Sequence, residues 1–350
     1  MVSGSAGCFI GPTPRIKIPG VEGFTVFFGP NLQHTVVFIG FEDSSAPTGM
    51  QCSGTGFLMK HDGGSYLITA RHVAEPIGND PFVIRVNENG RATLLRSDQA
   101  EWEFHPDTSV DLAAIPLGLP GAKFDARYVA ETDVLRTMEA LDREGIGVGS
   151  FTYTVGLFRY IYGQEQSLPF VHSGNIALMP PHGERIPVWD KLRGKTEFVE
   201  GYLIESGAID GASGSPVFAR PTISWGPINL DRGEKAYAAL PQAKMFLLGL
   251  FQGAWFAPPD RPLAESVQAK QGAIVPVGVG IVVPAYKIIE LLETQRMRED
   301  RAKRRPPNAA ITTAVALKPS ADSSTDENPT HREDFMRLAS AAARKQKQDE

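Results

Sequence analysis

Short runs rich in Val, Ile, Phe, Tyr and Thr recur along most of this 350-residue chain, and turn residues separate them. β-branched and aromatic residues favour strands. Two of the connections, 61–64 and 87–90, contain Asp-Gly and Asn-Gly, which tolerate the positive φ angles of tight hairpins. Because so short a turn cannot make a parallel crossover, the strands on either side of it must pair antiparallel. The pattern therefore predicts an all-β chain built from antiparallel strands.

The predicted strands fall into two successive sets, and a polar stretch with one predicted helix around 132–142 separates them. The first set comprises 35–41, 54–60, 65–71, 82–86, 92–96, 101–104 and 111–116. The second set comprises 151–158, 170–179, 198–204, 216–219, 245–252 and 273–283. Two sets of this size predict two β-barrels or sandwiches in one chain. Long polar insertions, 180–195 and 220–244, interrupt the second set, and such long connections are often functional.

The remaining segments complete the predicted organisation. Ile288, Ile289, Leu291 and Leu292 share one face of a predicted C-terminal helix, and the proline pair at 306–307 ends it. The tail beyond has few large apolar residues, so we expect it to be mostly disordered. The predicted order is an N-terminal arm (1–30), a first strand set (31–118), a connector (119–149), a second strand set (150–283), a helix (284–305) and a tail (306–350).

Composition narrows the class of protein. Hydrophobic residues make up 42% of the chain, which excludes a wholly disordered polypeptide and allows a buried core. The formal net charge of −5 argues against a dedicated nucleic-acid binder, which would carry a basic face. Two cysteines, Cys8 and Cys52, cannot form a disulfide framework.

Neither a membrane partner nor a cofactor is expected from the sequence. The longest apolar stretch, 273–285, is interrupted by proline and glycine and is shorter than the roughly 20 residues that span a bilayer. The first residues lack the basic and apolar regions of a secretory signal, so we expect a cytoplasmic protein. No metal site is expected, because these histidines lack ligand partners at metal spacing: His34, His61, His105, His182 and His331.

Three short segments carry the residue types that acyl transfer requires, in the order His72, Asp111, Ser213. A serine hydroxyl is a poor nucleophile until an imidazole takes its proton, and a carboxylate must fix the tautomer of that imidazole. Backbone N–H groups must also stabilise the developing oxyanion. Gly211 and Gly214 flank Ser213, and glycines there permit a strained turn that points the N–H groups of Gly211 and Ser213 into one hole.

Each of the three residues also has an ordinary structural interpretation. A histidine after an apolar strand, an aspartate at a strand edge and a Gly-Ala-Ser-Gly-Ser loop are each common in proteins of other function. The hypothesis rests on their combination, in this order, within two sets of strands.

At these residues the chain resembles the chymotrypsin/trypsin-like serine peptidases in their bacterial, disulfide-free form. The stretch 69–72 resembles that family's Thr-Ala-x-His, and 111–113 resembles its Asp-[Ile/Leu]-Ala. The stretch 211–216 resembles Gly-x-Ser-Gly-[Gly/Ser]-Pro, with Ser215 as in the bacterial glutamyl endopeptidases. The likeness covers about residues 33 to 292. It implies an all-β double barrel, two six-stranded antiparallel barrels with a C-terminal helix, and an active site in the cleft between them.

The resemblance also implies a set of substrate-binding residues. The stretch 247–253, with Phe251, Gln252 and Gly253, is similar to the strand that lines the specificity pocket and pairs with substrate. The stretch 278–281 resembles the other wall, and Gly207 falls at the pocket floor. His172 lies on a strand expected to border the pocket, where it either reads a polar side chain or simply packs.

The sequence departs from the family at three informative positions. Ala212 replaces the aspartate that pairs with a newly cut N-terminus in animal digestive members, so we do not expect activation by that ion pair. Gly207 replaces the pocket aspartate, so a strong preference for Lys or Arg is not expected. Phe251 lies near the place of a serine that supports the catalytic aspartate in animal members.

The sequence predicts a serine endopeptidase whose expected partner is a polypeptide substrate. Two alternatives remain open at this stage. One is a non-catalytic peptide-binding module on the same fold, since a fold does not confer activity. The other is an acyl hydrolase of small esters, which the same residues would support.

Overall fold

The computed structural model of the chain describes residues 32–97, 101–120, 123–190, 194–207, 209–221, 224–229, 235–240, 245–256, 276–303 and 311–315. The fold is mostly β, which confirms the class predicted from the sequence. The predicted N-terminal arm lies outside the described residues, and so does the predicted tail apart from 311–315. Among the described residues, no helix is long and apolar enough to cross a membrane.

The first strand set forms an eight-stranded antiparallel sheet with the order β18-β5-β4-β1-β2-β3-β7-β6. Its strands are β1 (Val36–Glu42), β2 (Met50–His61), β3 (Gly64–Thr69), β4 (Phe82–Glu88), β5 (Arg91–Ser97), β6 (Glu103–Phe104), β7 (Ala113–Pro116) and β18 (Ile311–Val315). The two predicted hairpins are confirmed, since Asp62 and Gly63 join β2 to β3, and Asn89 and Gly90 join β4 to β5, all four at positive φ.

This sheet differs from the six-stranded barrel that the sequence led us to expect. The described residues show one closed barrel, and it lies in the other half of the chain. β18 pairs with β5 at one edge, and the two-residue β6 pairs with β7 at the other. These five residues of the predicted tail are therefore ordered as a strand, because their Ile-Thr-Thr-Ala-Val sequence is β-branched and finds an unpaired edge.

The second strand set closes into a six-stranded antiparallel barrel with the order β12-β17-β16-β13-β8-β9. Its strands are β8 (Phe151–Gly156), β9 (Phe170–Leu178), β12 (Tyr202–Glu205), β13 (Pro216–Arg220), β16 (Phe246–Phe256) and β17 (Pro276–Pro284). Two hairpins that the sequence did not predict form at the polar insertions. In one, β10 (Ile186–Asp190) of the first insertion pairs with β11 (Lys195–Val199), which starts where that insertion ends. In the other, β14 (Ser224–Asn229) pairs with β15 (Lys235–Leu240) inside the second insertion.

In the described part of the chain, four α-helices accompany the sheets: α1 (Arg71–Ala74), α2 (Met138–Arg143), α3 (Ala285–Leu292) and α4 (Gln295–Ala302). The single predicted C-terminal helix is thus two helices. Thr294 begins α4, because its side chain accepts from the N–H of Met297. Arg301 donates to the Leu292 carbonyl at 2.5 Å and so satisfies the end of α3.

One hydrophobic core joins the two halves. It combines Leu67 and Ala114 of the first sheet with Phe218 and Leu250 of the barrel and Ile288 of α3, all buried. Burying a side chain of this size stabilises the fold by about 1.5–3 kcal/mol. The shared core fixes the barrel against the first sheet, and the predicted site residues lie along that junction.

Candidate active site

His72 lies on α1, three residues beyond the end of β3. The sequence predicted that the strand continues to residue 71, but it ends at Thr69, where the side chain donates to the Thr55 carbonyl at 2.7 Å. Val73 and Ala74 are buried and anchor the single turn of α1. The His72 side chain remains 45% exposed and so is accessible to a ligand.

Asp111 lies two residues before β7 and contacts His72 twice. Its Oδ1 accepts from the backbone N–H of His72 at 2.9 Å, and its Oδ2 lies 2.6 Å from His72 Nδ1. An ionised carboxylate only accepts hydrogen bonds, so Nδ1 carries the proton and Nε2 is free to act as a base. The structure thus brings together two of the three predicted catalytic residues, although 39 positions separate them in sequence.

The pKa of His72 is raised above its ordinary value of 6.5. Burial acts in the opposite direction, since it disfavours the imidazolium. The charge of Asp111 and its hydrogen bond outweigh that effect, and the charge of Glu75 adds to them. A carboxylate placed in this way stabilises the imidazolium that proton transfer from a nucleophile would create.

Ser213 lies in a turn that depends on its two neighbouring glycines. Gly211 has φ +94° and Gly214 has φ +86°, values that L side chains rarely adopt. A Cβ added at Gly214 would lie 2.0 Å from the Thr55 carbonyl oxygen and 2.5 Å from Thr69 Oγ1. Neither glycine can therefore be replaced without rebuilding the turn.

The Ser213 turn packs against the part of the first sheet that carries His72. The N–H of Thr55 donates to the Ser213 carbonyl at 3.0 Å. A Cβ added at Gly54 would meet both Val73, the residue after His72, and that same carbonyl. The Ser213 hydroxyl itself donates to the Gln252 carbonyl at 3.2 Å. The backbone of Ser213 therefore lies beside α1, and its hydroxyl is bound to β16.

Two backbone N–H groups of this turn stay free of acceptors within the described residues, those of Gly211 and Ser213. The other N–H groups of the turn are used: Ala212 donates to Ile209, Gly214 to Phe251, and Ser215 back to Ala212. The two free groups are the ones the sequence analysis assigned to an oxyanion hole. Donors without acceptors beside a serine hydroxyl are what an oxyanion hole requires.

Thr55 on β2 holds this turn from the other half of the molecule, a role the sequence analysis missed. Its buried hydroxyl donates to the Gly211 carbonyl at 2.9 Å and accepts from the N–H of Leu157 at 2.8 Å. The Gly-Thr-Gly stretch at 54–56 is the only local signal, and neither partner could have been located from it.

Three of the glycines predicted to line a specificity pocket have open space around them and carry no charge. A Cβ added at Gly207, Gly253 or Gly278 would meet no atom within 4 Å. The Ser206 N–H donates to the Gly278 carbonyl at 2.9 Å, which joins the segment expected at the pocket floor to one expected wall. Phe251 is buried, and its ring covers Gly280 so closely that a Cβ there would lie 2.4 Å from it.

Two further residues border the pocket segments. Glu205, which the sequence analysis did not single out, is exposed directly before Ser206 and accepts from Asn175 Nδ2 at 2.8 Å. His172 lies on β9 opposite Thr154, half-buried, and burial lowers the pKa of its imidazole. Its side chain makes no hydrogen bond within the described part of the chain, so a role in reading substrate stays a prediction.

Comparison of the chain with models of known protein families finds no match, and no curated protein matches it significantly.

Proposed function

We propose that the protein is a serine endopeptidase that forms an acyl-enzyme on Ser213. The observation that carries the proposal is the 2.6 Å contact between His72 Nδ1 and Asp111 Oδ2, formed on an exposed helix beside the Ser213 turn. The contact leaves Nε2 of the imidazole available as a base, and the neighbouring turn supplies the Ser213 hydroxyl and the N–H groups of Gly211 and Ser213. Peptide hydrolysis needs that set of groups.

The proposed reaction assigns each proton. The Ser213 hydroxyl turns from the Gln252 carbonyl toward His72, gives its proton to Nε2, and its oxygen attacks the substrate carbonyl carbon. The N–H groups of Gly211 and Ser213 donate to the oxyanion. The imidazolium, stabilised by Asp111, then protonates the leaving amine as the C–N bond breaks. A water attacks the acyl-enzyme by the same steps and releases the acid with Ser213 restored.

The proposal extends to the fold. We take the eight-stranded sheet as the counterpart of the first barrel in a trypsin-like double barrel, with β18 added at its edge. The support is positional, because His72 and Asp111 come from this sheet and Ser213 from the closed barrel, as the resemblance implies.

One observation favours a second candidate, a peptide-binding module without catalysis. The Ser213 hydroxyl donates to Gln252 rather than to His72. A serine that kept this partner would remain inert, while the end of β16 beyond its register with β13 could still pair with an extended peptide.

A fluorophosphonate probe separates the two, because it reacts only with an activated serine. We expect the full-length protein to be labelled, Ser213→Ala to lose labelling, and Ser45→Ala, which alters an exposed serine outside the site, to keep it. Digestion of a peptide library then separates an endopeptidase from an ester hydrolase. An unlabelled wild-type protein that still bound peptides would overturn the proposal in favour of the binding module.

A further inference from the structure

Asp111 belongs to a tightly bonded loop that connects β6 to β7. The loop is closed by the N–H of His105, which donates to the Leu112 carbonyl at 3.1 Å. Within the loop, Asp107 Oδ1 accepts from the hydroxyl and the N–H of Ser109, at 2.7 and 2.9 Å. Residues 105–112 therefore behave as one unit, and whatever fixes His105 also fixes Asp111.

Arg71 connects this loop to α1. It precedes His72, and its guanidinium donates to the His105 carbonyl at 2.5 Å. The same guanidinium lies over the Phe104 ring, 5.1 Å from its centre, an arrangement that suits a cation on an aromatic face. The Arg71 side chain thus joins the helix that carries the imidazole to Phe104 and His105, the residues at which the loop of Asp111 begins.

Both ring nitrogens of His105 form hydrogen bonds, so Arg71 binds a residue whose position is fixed. Its Nδ1 accepts from the N–H of Asp107 at 3.1 Å, which places the ring proton on Nε2. That Nε2 lies 3.1 Å from Glu290 Oε2 on α3, and Glu290 in turn pairs with Lys287. Since His105 is 5% exposed, these contacts are shielded from competing water.

We infer that Arg71 is a positioning residue for the His72–Asp111 pair, because it fixes the loop of Asp111 to the helix of His72 through the His105 carbonyl. The inference rests on the proposed function for its effect on catalysis. Without the guanidinium, the direct His72–Asp111 contacts are the only hydrogen bonds of the described residues that still join α1 to the loop. A loss of alignment of this kind lowers turnover much more than it weakens substrate binding.

Three variants test the inference. Arg71→Met keeps the apolar packing on Phe104 and removes every donor, Arg71→Lys keeps the charge and a donor, and Arg143→Met alters an exposed arginine of α2 as a control. For Arg71→Met we expect kcat about 10- to 100-fold lower with little change in KM. We also expect the acid limb of the kcat/KM profile to move to lower pH, since Asp111 then stabilises the imidazolium less. Arg71→Lys should recover part of both, and Arg143→Met should match the wild type.

A spectroscopic measurement separates this inference from the proposed function. The proton shared by His72 Nδ1 and Asp111 should give a low-field proton resonance in wild-type protein, which His72→Gln removes. We expect Arg71→Met to broaden or shift it even if the wild type hydrolyses no substrate, in which case only the proposed function fails. An Arg71→Met protein with an unchanged resonance, kcat and acid limb would overturn the inference. If Arg71→Met does not fold, Arg71→Lys serves instead. An Arg71→Lys protein with the resonance, kcat and acid limb of the wild type would equally overturn the inference.

Discussion

Thr55 and Gly211 meet across the junction of the two halves, where the Thr55 hydroxyl donates to the Gly211 carbonyl at 2.9 Å. The hydroxyl also accepts from Leu157, so a single side chain from the first sheet fixes two segments of the barrel. Fixing the Gly211 carbonyl fixes the orientation of the turn that offers the Gly211 and Ser213 N–H groups. The geometry of the proposed oxyanion hole therefore depends on a residue from the opposite half.

Replacing Thr55 by valine should lower both stability and turnover. Valine has nearly the same shape, so the change leaves the buried Leu157 N–H and Gly211 carbonyl unpaired, at a cost of about 1–3 kcal/mol in the free energy of unfolding. We expect kcat to fall about 10-fold or more, because the oxyanion donors lose their alignment. Urea unfolding and steady-state kinetics measure the two effects.

Thr48→Val is a matched control for this prediction. Thr48 is buried and hydrogen-bonds the Tyr162 hydroxyl at 2.8 Å, outside the proposed site. The Thr48→Val protein should lose a similar free energy of unfolding and keep the kcat of the wild type. Equal losses of kcat in the two variants would show that Thr55 acts through stability alone.

Asp111→Asn should reduce kcat by about 10⁴-fold with little change in the fold, because an amide can direct its N–H at Nδ1 and so select the wrong imidazole tautomer. Ser213→Ala and His72→Ala should each cost at least as much, and combining them should cost little more, since nucleophile and base act as one unit. Steady-state kinetics on one peptide substrate gives all of these values. Intact hydrolysis in Asp111→Asn would show that Asp111 is not part of the site.

The raised pKa of His72 predicts opposite pH trends for stability and activity. Asp111 favours the protonated imidazole in the folded state, so its contribution to stability is fully present below the ordinary pKa of 6.5 and disappears as pH rises through the raised value. The catalytic base is the neutral form, so kcat/KM should rise over that same interval.

Unfolding of the wild type and of His72→Gln, measured on both sides of this interval, isolates the contribution of the imidazole to stability. The excess stability of the wild type should shrink as pH rises. An excess that grew with pH would contradict the assigned direction. Glu75→Gln removes a weaker contribution to the same pKa and should change both trends less than Asp111→Asn does.

Local signals predicted those parts of the structure that local residues determine. The Asp-Gly and Asn-Gly turns fix their hairpins through the φ angles those residues tolerate, and the register follows from them. The hairpins of the two insertions were missed because both insertions are long and polar and were interpreted as loops. The break at Thr294 was missed because the sequence on both sides remains compatible with a helix.

The site was predictable as a set of residues but not as an arrangement. The motifs identified His72, Asp111 and Ser213, yet the 2.6 Å contact between the first two depends on how β3 and β7 pair. The hydrogen bond from Ser213 to Gln252, the role of Thr55 and the contact of Arg71 with His105 all join segments distant in sequence. No local pattern encodes such contacts, because each forms only when segments distant in sequence pair or pack together.

The residues expected to line the specificity pocket predict which side chain is preferred just before the cleaved bond. The positions expected at its floor and walls are glycines with open space around them, Gly207, Gly253 and Gly278, and none brings a carboxylate. An uncompensated buried cation costs several kcal/mol. We therefore expect Lys and Arg to be poor at this position and small or medium apolar side chains to be accepted. Cleavage of a proteome-derived peptide library measures the preference directly.

Glu205 is the residue through which this prediction could fail. Its carboxylate is exposed directly before Ser206 and accepts from Asn175, which partly satisfies it without neutralising its charge. If most cuts follow Lys or Arg, Glu205→Gln should abolish that preference, whereas Asp210→Asn, whose carboxylate lies 3.6 Å from Arg159, should leave it intact. A basic preference that survived Glu205→Gln would mean that the strand 247–253 does not line the pocket, because no predicted wall residue could then compensate the cation.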